Sequence, residues 1–175
     1  MKHKVKIPTW RRLLLKVFRC QVIYTRSTPR QLTSGPTIVA ANHISMLDGI
    51  LVALASPEPL VFGVEHQYSV DHPHTSKLLQ RLSALGLGKV VPVCSSQPMG
   101  LRTLLKDLKQ GHSVMIFPEG KISIDGTPNE KQPGLEWLAR KSGAKVTSIR
   151  LKGADQSRFF GKSGRKIWPK ISLIF

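Results

Sequence analysis

Ala41-Asn42-His43-Ile44-Ser45-Met46-Leu47-Asp48-Gly49 holds a histidine and a carboxylate, with four residues between them, at the join of two apolar runs. Thr37-Ile38-Val39-Ala40 leads in and Gly49-Ile50-Leu51-Val52-Ala53-Leu54 leads out, the pattern of a strand, a tight turn and a helix. A side chain at such a strand end faces the crevice in which open α/β sheets take up ligands. On a continuous helix, positions five apart lie roughly 140° around the axis, so His43 and Asp48 do not meet that way. With the helix starting near Ser45, His43 falls in the turn before it and Asp48 in its first turn. The turn then folds the imidazole back onto the carboxylate. A carboxylate on one ring nitrogen fixes the tautomer and readies the other nitrogen to take a proton from a substrate hydroxyl. A plainer reading stands beside this one. Ser45-x-x-Asp48 before an apolar run is also a helix capping box with Asp in place of Glu.

A second marker lies further on, where the buried-strand run Ser113-Val114-Met115-Ile116-Phe117 ends in Pro118-Glu119-Gly120-Lys121. His-x4-Asp after one strand and Phe-Pro-Glu-Gly after a later one together resemble the glycerophospholipid acyltransferase family, of the 1-acyl-glycerol-3-phosphate type. Within it, Gln97-Pro98-Met99, Phe117-Pro118-Glu119-Gly120-Lys121-Ile122 and Ala139-Arg140-Lys141-Ser142-Gly143-Ala144 are most similar to the acyltransferase part of 2-acylglycerophosphoethanolamine acyltransferase/acyl-carrier-protein synthetase. The likeness covers roughly residues 10–175. It implies an O-acyltransferase with His43 as general base and Asp48 as its orienting partner. The hydroxyl of a lysophospholipid or of glycerol 3-phosphate then attacks an acyl thioester directly, with no metal and no resident cofactor. The thioester of acyl-carrier protein or coenzyme A is the implied co-substrate. Asn42, Glu119, Gly120 and Lys121 form the implied substrate-binding set, Lys121 standing where the family carries Thr followed by Arg. A cation beside an exposed glycine turn suits a phosphate group. Glu119, which repels phosphate, is left to bond a glycerol hydroxyl or to orient its basic neighbours.

Three departures from the family pattern bear on the head group more than on the acyl chemistry. Val93, Cys94, Ser95 and Ser96 stand where an Arg is usual, and Arg102 or Lys106 on the next helix is the candidate replacement. Ile122 replaces the Arg of the Glu-Gly segment, and Ser148 a late proline. The first two suit lysophosphatidylethanolamine-type relatives better than lysophosphatidate ones. Those relatives continue into an adenylate-forming domain, so a chain ending at Phe175 is expected to receive its acyl group ready-made.

The 175 residues carry 27 Lys or Arg against 10 Asp or Glu, a formal charge of +17. Hydrophobic content is 41%, ordinary for one globular domain. Cys20 and Cys94 have neither metal-ligand spacing nor a disulfide framework, which favours a reducing compartment. The basic charge is uneven. Residues 1–30 contain nine Lys or Arg and no acid, and residues 140–175 contain ten against the single acid Asp155. Such a balance implies an anionic partner. The chain shows no helix-turn-helix, zinc-finger or RNA-binding signature, which leaves a lipid surface rather than nucleic acid. Its apolar runs fall short of the roughly 20 residues of a membrane span. Lys16 and Arg19 interrupt the N-terminal apolar stretch that a signal peptide needs.

Residues 8–24 read as a basic amphipathic helix. Pro8 opens it, Trp10, Leu13, Leu14, Val17 and Phe18 recur at helical spacing, and Arg11, Arg12, Lys16 and Arg19 fall opposite. A helix of this kind lies in the membrane interface, each basic residue contributing about 1 kcal/mol near an anionic leaflet. Packing on the domain's own core, with a solvated basic face, is the plainer alternative. The expected layout is a membrane-associating segment over 1–30 and an acyltransferase domain over 31–175, peripheral on the cytoplasmic face of the inner membrane. The domain reads as α/β, a mostly parallel sheet flanked by helices. Strands are expected at 37–41, 60–64, 89–93, 113–117, 145–151 and 170–175, with Pro92 marking an edge or a bend. Helices are expected to about Ser56, at 73–85, from Pro98 to Gly111 and at 134–142. His66, His72 and His74 with Asp71 match no metal-site spacing and read as solvated loop residues. A catalytically silent membrane or acyl-carrier docking module is the alternative to an enzyme.

Overall fold

The computed structural model describes residues 6–25, 35–65, 81, 86–93 and 99–175. Its frame is a seven-stranded sheet of β1 (Cys20–Ile23), β2 (Thr37–Ala41), β3 (Leu60–Glu65), β4 (Gly88–Val93), β5 (Val114–Ile116), β6 (Lys145–Lys152) and β7 (Ile171–Ile174). The strand order is β1-β7-β6-β2-β5-β3-β4, and every pairing is parallel except β6 with β7. Four described helices flank it: α1 (Thr9–Val17), α2 (Asp48–Ala55), α3 (Met99–Lys109) and α4 (Gly134–Ser142). The expected α/β domain with a mostly parallel sheet is what the chain forms.

Alternation along the central strands separates two cores. Val39, Leu60, Phe62 and Met115 point to one face, where α2 lies. Ile38, Val61, Val114 and Ile116 point to the other, beneath Leu104 and Leu108 of α3 and Leu138 of α4. Both faces are therefore covered, which is why β2 is buried at all five positions and reads as an unbroken apolar run. Helix α2 is apolar all round because it too is covered twice. The sheet lies under it and α1 packs above it, where Arg11 Nη1 donates to the Ser56 carbonyl at 3.2 Å. Leu51 and Leu54 are fully buried there, each contributing about 1.5–3 kcal/mol.

The helix expected over 8–24 is shorter. It stops at Val17, Arg19 turns into the left-handed region (φ 49°), and Cys20–Ile23 form strand β1 beside β7. Tertiary pairing overrides the helical spacing here, since β7 presents an edge that Cys20-Gln21-Val22-Ile23 can cover. Residues 20–23 are thus part of the sheet. The faces of α1 also differ from expectation. Leu15 is the buried residue, Leu14 and Phe18 pack partly against the core, and Trp10, Leu13 and Val17 are exposed. Arg11 is half-buried rather than solvated, while Arg12, Lys16 and Arg19 are exposed.

Pro92 does lie on the edge strand β4. Helix α4 ends at Gly143 (φ 68°), a left-handed C-terminal cap that glycine adopts at no steric cost. The helix expected at 73–85, apart from residue 81, and the cluster of His66, Asp71, His72 and His74 lie outside the described residues.

The start of α3 is seated flush on β4. A Cβ on Gly100 would stand 2.5 Å from the Pro92 carbonyl oxygen and 2.7 Å from Val93 Cα. Helix propensity alone favours Gly100→Ala by about 1 kcal/mol. Overpacking against backbone costs about 1–3 kcal/mol and is expected to win. The substitution should lower the urea midpoint of unfolding; a rise would show that α3 does not approach β4 this closely.

Candidate active site

The site forms where β2 and β5 end side by side. Ala40 of β2 pairs with Ile116 of β5, so three residues further on His43 and Glu119 emerge level with each other. The chain leaves β2 for α2 on one face and leaves β5 towards α4 on the other, which opens a crevice at the carboxyl ends of the strands. The turn after β2 then closes on itself. Asp48, the first residue of α2, is fully buried, and its Oδ2 accepts from the backbone N–H of Ile44 at 2.6 Å and of Ser45 at 2.8 Å. His43 Nδ1 stands 3.0 Å from the same oxygen. Ser45 Oγ in turn accepts the N–H of Leu47 at 3.0 Å. Only half of the expected capping box forms, since the helix starts at Asp48 after Leu47 and the Ser45 hydroxyl does not reach the Asp48 N–H; the carboxylate oxygen that bonds the Ser45 N–H is the one that faces His43.

The imidazole is fixed on a second side by Phe117, whose ring stacks on it with centroids 3.9 Å apart and planes 13° apart. The histidine side chain keeps 14% of its surface exposed while Asp48 keeps none. One partner is thus reachable and the other sealed.

Glu119 is buried, and both its oxygens are engaged. Oε1 accepts the His43 N–H at 3.3 Å, and Oε2 accepts from the Asn129 N–H at 2.8 Å and from Asn129 Nδ2 at 3.2 Å. Ser123 N–H donates to the His43 carbonyl at 2.8 Å, so the loop after β5 grips the histidine backbone from both sides. Asn42 is committed in the other direction. Ala41 pairs with Ile149 of β6, and just beyond this pairing Asn42 Nδ2 donates to the Leu151 carbonyl at 3.0 Å while Oδ1 accepts the Leu151 N–H at 2.8 Å. The amide extends the β2–β6 ladder past the strand end. Of the four residues expected to bind substrate, Asn42 and Glu119 thus spend their polar atoms on the fold, and Gly120 and Lys121 are exposed at the mouth. Gly120 has φ 69° and closes a turn back to the Phe117 carbonyl at 3.1 Å, which turns Glu119 inward and leaves Lys121 outside. Arg102 and Lys106 are exposed on α3, whose helix covers the face opposite α2; residues 94–98 lie outside the described residues. Asn129 was not foreseen, because nothing in the run Thr127-Pro128-Asn129-Glu130 sets it apart from other loop residues.

Burial pushes the Asp48 carboxyl above the usual carboxylate range, and hydrogen bonds from His43, Ser45 and Ile44 pull part of the way back. An acid raised in the folded state favours the fold in its neutral form. That contribution is complete below the unfolded value, about pH 4, and is lost as pH rises through the raised folded value. Asp48→Asn carries no such dependence and keeps an oxygen for the two backbone donors. Its urea midpoint should match or exceed that of the wild type at pH 7, with the gap closing as pH falls towards about 4. A variant that is weaker at pH 7 would mean that the ionised carboxylate stabilises the fold.

Glu119→Ala should speed hydrogen exchange at the His43 and Asn129 amides while the β2 amides keep their protection. Unchanged exchange at both sites would show that the loop holds its place without the carboxylate.

A family profile described as acyltransferase matches residues 21–152, well over half of the chain. The chain is 30% identical over 129 residues to the chloroplastic 1-acyl-sn-glycerol-3-phosphate acyltransferase LPAT1 of Arabidopsis thaliana. That match takes in 74% of this chain and 35% of the relative, so the chain spans about a third of the relative's length. The crystal structure of the 1-acyl-sn-glycerophosphate (LPA) acyltransferase PlsC from Thermotoga maritima shares the fold, with a TM-score of 0.58 and 21% identity over 94% of this chain and 68% of that one. With the Acyltransferase profile spanning the strands and turns that build the site, the chain belongs to the acyltransferase family.

Proposed function

We propose that the protein transfers a fatty acyl group from an acyl thioester to the hydroxyl of a lysophospholipid or of a glycerol phosphate, in phospholipid synthesis or remodelling. The observation that carries this reading is the 3.0 Å pairing of His43 Nδ1 with the buried Asp48 carboxylate at the carboxyl edge of the sheet. With Nδ1–H directed at Asp48, Nε2 carries the lone pair. Nε2 takes the proton of the acceptor hydroxyl as its oxygen attacks the thioester carbonyl. The tetrahedral intermediate collapses, the C–S bond breaks, and the imidazolium returns the proton to the leaving thiolate. Asp48 holds the tautomer and offsets the charge on the ring through these steps, and the attacking oxygen belongs to the substrate, so no covalent enzyme intermediate forms.

Glu119 acts in this scheme as a positioning residue through the His43 backbone, and Lys121 as the cation for the acceptor's phosphate. The donor is an acyl-carrier-protein or coenzyme A thioester, either of which suits the basic surface. Access to the acceptor comes through peripheral contact with anionic lipid by α1, whose exposed Trp10, Leu13 and Val17 lie beside Arg12, Lys16 and Arg19, on the cytoplasmic face of the inner membrane. No described helix is long and apolar enough to cross a membrane.

The test is acyl transfer from labelled acyl-carrier and coenzyme A thioesters to a panel of lysophospholipids and glycerol 3-phosphate, presented with anionic vesicles. His43→Ala should lose about 10²- to 10⁴-fold in kcat, the range of a positioned general base. Asp48→Asn should lose activity while keeping its stability, since the amide no longer holds the imidazole in the reactive tautomer. Wild-type protein that binds vesicles yet transfers to no acceptor would overturn the enzyme reading in favour of a docking module.

A further inference from the structure

The basic C-terminal third of the chain contains a surface that the catalytic site does not use. Between Asp155 and the chain end stand Arg158, Lys162, Arg165, Lys166 and Lys170, all exposed, with no acid among them. Three large apolar side chains are exposed in the same stretch: Phe159 at 57%, Ile167 at 62% and Trp168 at 48%. An aromatic-rich loop has no packing reason to hold these in water. Nor is the loop slack. Lys166 N–H donates to the Gln156 carbonyl and Arg158 N–H to the Lys166 carbonyl, at 2.9 and 2.8 Å, so residues 156–166 close into a bonded loop.

This loop is joined to α1. Trp168 Nε1 donates to the Val17 carbonyl at 2.8 Å, and Arg19 Nη1 donates to the Trp168 carbonyl at 3.0 Å. Phe18, Phe160, Ile167 and Trp168 line a shallow apolar cleft between the two, with Leu47 at its floor. The exposed Val17 of α1 is thus bonded to the exposed Trp168 of the loop, with Leu13 one helical turn before Val17 and Ile167 next to Trp168, and the cations Arg12, Lys16 and Arg19 stand on the α1 segment as the loop's own stand on the loop. The loop also touches the site, since Met46 N–H donates to the Phe160 carbonyl at 2.9 Å, within the turn between His43 and Asp48.

We infer that residues 158–170 form, with α1, a two-part docking surface for an anionic lipid bilayer, and that this surface sets the mouth of the His43 site against the membrane. The inference rests on the membrane contact proposed above and extends it to a segment far from the N-terminus. Charge complementarity selects the occupant: a run of five cations without an acid fits a surface of lipid phosphates, and indole and phenyl groups at its margin fit the interface between head groups and acyl chains. An acidic carrier protein matches the charge but leaves the exposed apolar side chains without a partner.

The experiment measures partition of the full chain onto vesicles of phosphatidylglycerol and phosphatidylcholine. The wild type is compared with Phe159→Ser/Ile167→Ser in the loop and with Leu13→Ser/Val17→Ser in α1. Both double variants should bind about tenfold or more weakly, as expected when exposed apolar area no longer enters the interface. The loop variant should also keep its activity on a short-chain, monomeric acceptor. For a protein with Trp168 as its single tryptophan (Trp10→Phe/Trp137→Phe), emission should shift to the blue on vesicles and be quenched by lipids brominated on the acyl chain. This arm needs no loop variant to fold. If the wild type binds but the loop variant binds equally well, or Trp168 escapes quenching, the inference is wrong while the α1 contact stands. If the wild type does not bind at all, the membrane reading itself fails.

Discussion

One carboxylate oxygen carries the geometry on which the rest of the site depends. Asp48 Oδ2 collects the N–H groups of Ile44 and Ser45 and faces His43 Nδ1, so the start of α2, the shape of the turn and the orientation of the imidazole are a single arrangement. Burial makes this arrangement costly, because a sealed carboxylate is raised in pKa and Oδ1 has no hydrogen-bond partner among the described residues. A protein selected for stability alone would have little use for the charge at that position. Its presence marks a place where the fold gives up stability to hold a carboxylate against the imidazole.

Parallel register supplies the other half. Because Ala40 lies opposite Ile116, segments separated by 76 residues in sequence leave the sheet level with one another, and Glu119 can bond the His43 backbone. On the other side of β2 the same logic brings Asn42 to Leu151. The histidine is held from its own turn, from the loop after β5 and through the ladder to β6. Residues that follow β2 and β5, with β6 as the partner of Asn42, place one side chain: Asp48 and Phe117 hold the ring, Glu119 and Ser123 the backbone, and Asn42 the direction in which the chain leaves β2.

Much of this was legible in the sequence because it is local. The strand at 37–41, helix 134–142 with its closing glycine, the edge proline at 92 and the pairing of His43 with Asp48 all follow from spacing and turn chemistry within a dozen residues. What could not be read was whatever depended on a partner elsewhere. Cys20–Ile23 continues a helical pattern and becomes a strand only because β7 offers an edge. Arg11 sits on the polar side of a helical wheel, yet it turns towards Ser56 because α1 lies over the end of α2. Asn42 and Glu119 belong to binding motifs by type and position, and only the register shows that their polar atoms are already spent.

The strand order also has a consequence for the route by which the chain reaches this state. β2 emerges from synthesis long before β5 and β6, its neighbours on either side, and α2 follows it as a helix with almost no polar face. Non-local parallel pairing is slow, since loop closure precedes any gain from contact. Until residues 114–152 are made, the first two thirds or so of the chain therefore include a central strand without its neighbours and a bare apolar helix, the condition in which chains associate with one another or with chaperones. The contacts that hold the His43 backbone from Glu119 and Ser123, and Asn42 from Leu151, therefore wait for β5 and β6, whereas the His43–Asp48 pair needs only its own turn.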